Sequence, residues 1–156
     1  MKMIVFAIAA FAIFVSFSPA YSASTDGSNT GNEAENPDYA SGKDAIKKKH
    51  WSKAIAYMKN VVASDENKAA DAHNYLGYAY RNLGQYDNAM SHYKEALRLN
   101  PKHRGALEYM GEAYLKLDNP AAAKKLLTTL DDICTFGCPE YNDLKAAIEK
   151  YGKAKN

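Results

Sequence analysis

Residues 74–101 read "NYLGYAYRNLGQYDNAMSHYKEALRLNP". Leu76 and Tyr80, then Ala89, Tyr93 and Ala96, recur at three- and four-residue spacing, the period of two helices that each bury one face. Gly84 stands between them as a helix stop, and Asn100-Pro101 closes the second. The segment holds no nucleophile beside a base, no metal cage and no phosphate-binding loop. Such order without chemistry marks a structural unit.

The same periodicity continues on both sides. It predicts helices over about 38–49, 51–63, 70–83, 86–99, 104–117, 120–131 and 139–151. No stretch alternates apolar and polar residues as a strand would, so the class is all-α. Laid over one another, the helices repeat. Residues 70–103 carry His73, Leu76, Gly77, Tyr80, Gly84, Tyr86, Ala89, Tyr93, Ala96 and Pro101. This closely resembles the tetratricopeptide repeat (TPR), W-x2-L-G-x2-Y followed by A-x3-F, A and P. His73 replaces the leading Trp, and Tyr93 stands in for Phe.

Leu107, Met110, Gly111, Tyr114 and Ala123 repeat the offsets one unit later, and Leu127 and Leu130 close that helix, with no Pro at its end. Gly42, Ala45, Trp51, Ala54, Met58 and Val61 fit a first unit beginning near Glu35, with one extra residue in the Ser64–Ala69 loop. The repeats therefore lie at about 35–69, 70–103 and 104–137. "PEYNDLKAAIEKYGKAKN" then supplies a capping helix, 139–152, with Tyr141, Leu144, Ile148 and Tyr151 as its apolar stripe and Lys145, Glu149, Lys150 and Lys153 on the wet side. The resemblance implies a right-handed α-solenoid of three helix pairs plus a cap, spanning 38–156, with a concave groove. Small residues at Gly77 and Ala89 let paired helices approach, while Leu76, Tyr80 and Tyr93 fill the space between neighbours. One pair cannot bury its own apolar face, so the units must stack.

The N-terminal residues read differently. "MKMIVFAIAAFAIFVSFSPAYSA", residues 1–23, has a Lys, an apolar run from Met3 to Phe17, then Pro19 and small residues, the layout of a secretory signal peptide. Ala20 and Ser22 occupy the −3 and −1 positions of a cut after Ser22, making 1–22 the leader, and a cut after Ala20 is the alternative. The apolar run is short for a ~20-residue membrane span, which favours cleavage over anchoring. Residues 23–37, rich in Asn, Ser, Thr and Gly, read as a flexible linker. No Asn-x-Ser/Thr sequon occurs, which leans toward a bacterial exported protein, periplasmic or secreted and free of the membrane once cleaved.

Composition limits the chemistry. The chain has 156 residues, 47% hydrophobic and 24% charged, with 20 Lys and Arg against 18 Asp and Glu. That near-balance argues against nucleic-acid binding driven by bulk charge. Cys134 and Cys138 bracket "CTFGC" before the cap. In an exported chain they read first as a structural disulfide. A zinc site would need two more ligands, the nearest histidine being His103; a redox pair would lack the C-x-x-C spacing; free thiols would suit a cytosolic chain better. The histidines at 50, 73, 92 and 103 show no metal spacing, and His73 sits where the repeat expects a buried aromatic. Asp131 and Asp132 fall in a solvated turn. No enzyme, cofactor or metal is expected.

Resemblance to TPR proteins implies a protein–protein interaction scaffold whose first helices line the groove. Its offsets bring Tyr39, Lys43 and Lys47 from the first repeat, then Asn74, Tyr75, Tyr78, Arg81 and Asn82, and finally Glu108, Tyr109, Glu112 and Lys116. Twelve tyrosines against one tryptophan fit such a surface, because tyrosine offers broad contact and a polar tip. Glu108 and Glu112 would repel a carboxylate ligand, which points to a mixed-charge, partly apolar peptide or protein surface. The alternative is a small thiol-redox or metal-binding protein working through the Cys134/Cys138 loop.

Overall fold

The structure, a computed structural model, describes residues 36–155; the expected leader and nearly all of the expected linker lie outside them. The chain forms α1 (Pro37–Lys47), α2 (Trp51–Ser64), a 3-10 turn (Glu66–Lys68), α3 (Ala69–Asn82), α4 (Tyr86–Leu99), α5 (Arg104–Lys116), α6 (Pro120–Ile133) and α7 (Pro139–Lys155). Among the described residues there is no strand, and the fold is an all-α solenoid.

Side-chain caps set several helix starts. The Asn36 Oδ1 accepts from the backbone N–H groups of Asp38 and Tyr39 at 3.0 and 3.3 Å, with Pro37 in the first turn. Asn119 does the same for α6 through the Ala122 N–H at 3.1 Å, ahead of Pro120. The stops share one device. Lys49, Gly84 and Asp118 take left-handed φ values of 57°, 74° and 58° just after α1, α3 and α5. In each case the next residue's N–H reaches back to a carbonyl in the last turn: His50 to Ala45, Gln85 to Tyr80 and Asn119 to Tyr114, at 2.8–2.9 Å. These are Schellman caps, and their recurrence fixes the repeat register.

Several boundaries differ from the sequence reading. The helix expected to run through residue 49 ends at Lys47, because Lys48 and Lys49 form the cap. The extra residue in the 64–69 loop is absorbed by the 3-10 turn, where Asp65 Oδ1 accepts from the Lys68 N–H. The α6 and α7 helices run on to Ile133 and Lys155.

Consecutive helices pack as antiparallel pairs, and α1, α3, α5 and α7 also touch one another in succession. The even-numbered helices do not pack on each other comparably, so the odd row is the tighter, concave side. Large buried side chains fill the layers: Met58, Leu76, Tyr93, Leu130 and Leu144. The first two repeats each seat one of these over a glycine of their own first helix. A Cβ on Gly42 would lie 2.5 Å from Met58 Cε, and one on Gly77 would lie 2.5 Å from Tyr93 Cε1. The third repeat breaks the rule, because Gly111 receives Leu144 of the cap and not a side chain of α6. Between α6 and α7, Cys134 and Cys138 are joined as a close disulfide pair with Cα atoms 5.7 Å apart. So small a loop contributes about 2 kcal/mol by restricting the unfolded chain.

Candidate functional site: the concave face

An aromatic row runs from the first residue of α2 across α3 to α5. The Trp51 and Tyr78 rings meet edge-on at 5.8 Å, and Tyr78 and Tyr109 lie 4.8 Å apart. The Arg81 guanidinium sits over both tyrosines, 5.3 Å from Tyr78 and 5.4 Å from Tyr109. It also pairs with Glu112 across the α3–α5 seam. Tyr78, Arg81, Tyr109 and Glu112 thus form one unit held from two repeats, and each is half-buried, so rings and charges still meet solvent.

Beside this unit α3, α5 and α7 enclose a cavity of about 350 Å³. Arg81, Glu112 and Lys116 line it from the first helices. Lys150 and Tyr151 of α7 line it too, together with Leu115 and the alanines of the cap. The cap residues are absent from the sequence-derived set. Their signal was the stripe that placed Tyr151 on the inner side; Lys150 was placed on the wet side.

The other expected positions divide by burial. Lys47, Asn82 and Lys116 are exposed, and Lys43 and Tyr75 are half-buried. The Asn82 amide folds onto its own helix, donating to the Tyr78 carbonyl at 2.8 Å. Tyr39, Asn74 and Glu108 are buried, at 7%, 5% and 7% exposure, and so belong to the floor. The Tyr39 hydroxyl donates to Asp71 Oδ2 at 2.9 Å, and its ring meets Tyr75 edge-on at 6.0 Å. Asp71 Oδ1 takes the Nε2–H of His103 at 3.0 Å, while His103 Nδ1 accepts the Ala106 N–H at 3.1 Å and caps α5. The His103 hydrogen bond pulls the Asp71 carboxyl below its ordinary pKa. This Tyr–Asp–His line resembles a catalytic relay in composition, yet it leaves His103 no free lone pair. It ties three successive first helices together.

Glu108 is the unexpected member of the floor. Burial first, then the charges of Glu112, Asp143 and Glu140, push its carboxyl up to about 8, against a weaker opposing pull from Arg81. Across from it on α7, one Glu140 oxygen lies 3.7 Å from Arg104 Nε, and the other is buried without a hydrogen-bond partner.

On a separate seam, His73 Nδ1 meets His92 Nδ1 at 3.0 Å, and His92 stacks on Tyr80 at 5.4 Å. Burial lowers both, His92 to about 4, so the pair shares a hydrogen bond as neutral rings. His73 fills the place of the repeat's aromatic by pairing with a second imidazole. Among the described residues no three or more His, Cys, Asp or Glu gather as a metal site, and no helix is long and apolar enough to cross a membrane.

Comparison with known proteins agrees with this geometry. The tetratricopeptide repeat family model matches residues 70–103. The C-terminal TPR-containing domain of a Plasmodium falciparum FK506-binding protein superposes with a TM-score of 0.60 at 17% identity, over 76% of this chain and 88% of that one. A tetratricopeptide repeat protein from Parabacteroides merdae superposes at 0.62 with 20% identity, over 78% of this chain and 49% of its own. No curated protein matches the sequence. Residues 70–103 are a tetratricopeptide repeat, and the chain around them has the fold of proteins built from such repeats.

Proposed function

We propose that the chain is a non-enzymatic scaffold that holds a partner protein or peptide against its concave face. Repeats of this family generally mediate protein–protein interaction. The observation that carries the reading is the Trp51–Tyr78–Tyr109 row with Arg81 over two of its rings, opening into the cavity against α7. Aromatic rings held by packing lose little entropy on binding, and a half-buried Arg is a usual interface anchor. With Glu112, Lys116 and Lys150 at its edge, the face suits a mixed-charge, partly apolar segment. The thiol-redox alternative gains nothing from the loop, where Cys138 is buried at 5% exposure.

Cross-linking in the protein's own compartment would supply the partner. Tyr75→Ala, Tyr78→Ala and Arg81→Ala are then each expected to weaken binding by about tenfold or more, with the helical circular-dichroism signal retained. Parent-like binding by all three would move the site off this face.

The reading includes export: a leader removed near Ala23 and a periplasmic or secreted mature chain, supported by the order of charged, apolar and small residues in 1–23. Unreduced intact mass spectrometry of protein from its own cells tests this together with the cysteines. The expected chain starts within a few residues of Ala23 and takes up no alkylating reagent. An intact Met1 would defeat the export reading, and two alkylated thiols the disulfide.

A further inference from the structure

Phe136 stands wholly in solvent, at 103% relative exposure, while the other exposed large apolar side chains among the described residues, Leu83, Leu99 and Leu117, are only 41–44% exposed. It sits at the tip of the five-residue loop closed by Cys134 and Cys138. Gly137, at φ +81°, turns the backbone behind it, and the Gly137 N–H donates to the Cys134 carbonyl at 2.8 Å. The closed loop restrains the backbone that carries the ring, so less chain freedom is given up when Phe136 docks, and the loop presents it as an apolar knob. Asp131 and Asp132 stand exposed in the last turn of α6 beside it, and neither has an ion-pair partner among the described residues.

The far end of α7 offers a matching socket. The cavity of about 350 Å³ has Leu115, Ala147, Ala154 and Tyr151 as its apolar lining. An apolar cavity of about 150 Å³ is enough for a benzene ring. Arg81 within it is already neutralised by Glu112, which leaves Lys116 and Lys150 as its uncompensated charges. Two lysines at the socket face two aspartates beside the knob.

Phe136 cannot reach the socket of its own chain. From Pro139 to Tyr151 the α7 helix rises about 18 Å, and the knob and the socket lie at opposite ends of that rise. Only another copy can bring them together.

We propose that the chain associates head to tail, the Phe136 knob of one copy entering the Lys116–Lys150 cavity of the next. The proposal rests on the concave face being the binding face. The contact is heterologous, so it adds copies one after another and does not close into a symmetric pair. It is small and partly ionic, so it is transient and weakens as salt rises.

Sedimentation velocity over a concentration series, on oxidised protein from its own cells, tests it. The parent is expected to sediment faster as concentration rises at low salt, and to return toward the monomer at high salt. Phe136→Ser loses the knob, and Lys116→Asp with Lys150→Asp loses the socket. Each is expected to remain monomeric with unchanged circular dichroism, since all three side chains are exposed. Mixing the two variants restores one knob and one socket, so the mixture is expected to form dimers and stop there. A parent that stays monomeric at every concentration overturns the proposal, as does association of Phe136→Ser equal to the parent's, or a monomeric mixture. None of these outcomes touches the reading of the concave face, which stands or falls on the Tyr75, Tyr78 and Arg81 variants.

Discussion

Gly77→Leu is expected to collapse the middle repeat, with a fall in melting temperature of roughly 10 °C or more. A Cβ alone at position 77 would lie 2.5 Å from Tyr93 Cε1, 2.6 Å from Cδ1 and 2.9 Å from Cζ. Those atoms belong to a rigid ring, not to the loose end of a side chain. The ring has nowhere to go: Tyr93 is fully buried and packed in a cluster with Ala89, Met90, Met110 and Ala113. Either α3 and α4 separate, or the next repeat's α5 is pushed away. Overpacking by a few atoms typically costs about 1–3 kcal/mol, and leucine adds more than a few against a total stability of about 5–15 kcal/mol. Thermal unfolding followed by circular dichroism gives the answer. Pairing Gly77→Leu with Tyr93→Ala should recover part of the loss, because the second change opens the space that the first one fills. If the single variant melts like the parent, the two helices are not in the register described.

Both residues were legible in the sequence as core positions, because Gly77 and Tyr93 lie on the apolar faces of two short helices at family spacing. Their pairing was not: the sequence reading set Gly77 with Ala89 and placed Tyr93 between neighbouring repeats, whereas the ring sits over Gly77 within its own repeat. The stop after α3 was legible, since Gly84 is the residue that a left-handed cap prefers. The equivalent stop at Lys49 uses a residue that seldom takes positive φ, and there the chain accepts local strain to preserve the repeat; Asp118 tolerates that region better. No composition rule flags them.

The floor of the groove was least legible. Offsets within a repeat describe a face whose exposure depends on what the next unit covers. For Glu108 the next unit is the cap, whose Leu144 has taken the seat over Gly111 and drawn α7 across α5. A position that would face a ligand in a longer array is closed over here. Tyr39 and Asn74 are likewise covered by their neighbours, and Tyr39 reaches Asp71 thirty-two residues away. Which residues stay open to a partner is settled by tertiary packing, and local spacing does not encode it.

The closure of Glu108 leads to the second expected result: Glu108→Gln should stabilise the protein in alkali and change little in acid. The carboxyl is held at about 8 in the folded chain against its ordinary 4.5. Below the ordinary value both folded and unfolded chains carry the proton, and the folded state keeps its full advantage. As pH rises toward about 8 the unfolded chain has lost the proton while the folded one retains it, so stability declines across that window and stays lost above it. The groups that face Glu108 decide the sign. Glu112 on α5 and Glu140 and Asp143 on α7 oppose its charge, and Arg81 on α3 favours it less strongly. Water at the groove edge and the Arg81 charge screen the repulsion, so the loss is about 1–2 kcal/mol rather than the full value of the shift. Glutamine keeps the shape and removes the charge. Its gain over the parent is therefore expected near about pH 9 and nearly absent near about pH 5. Comparing variant with parent at each pH also cancels the acid sensitivity of the His73–His92 pair, whose depressed values destabilise both chains alike. Hydrogen exchange should locate the effect: at one and the same alkaline pH the α7 amides of the parent, where ionised Glu108 repels Glu140 and Asp143, should exchange faster than those of the variant, and in acid the two should match. A stability difference that is the same at both pH values would mean that Glu108 is already ionised in acid, and that α7 does not close over it.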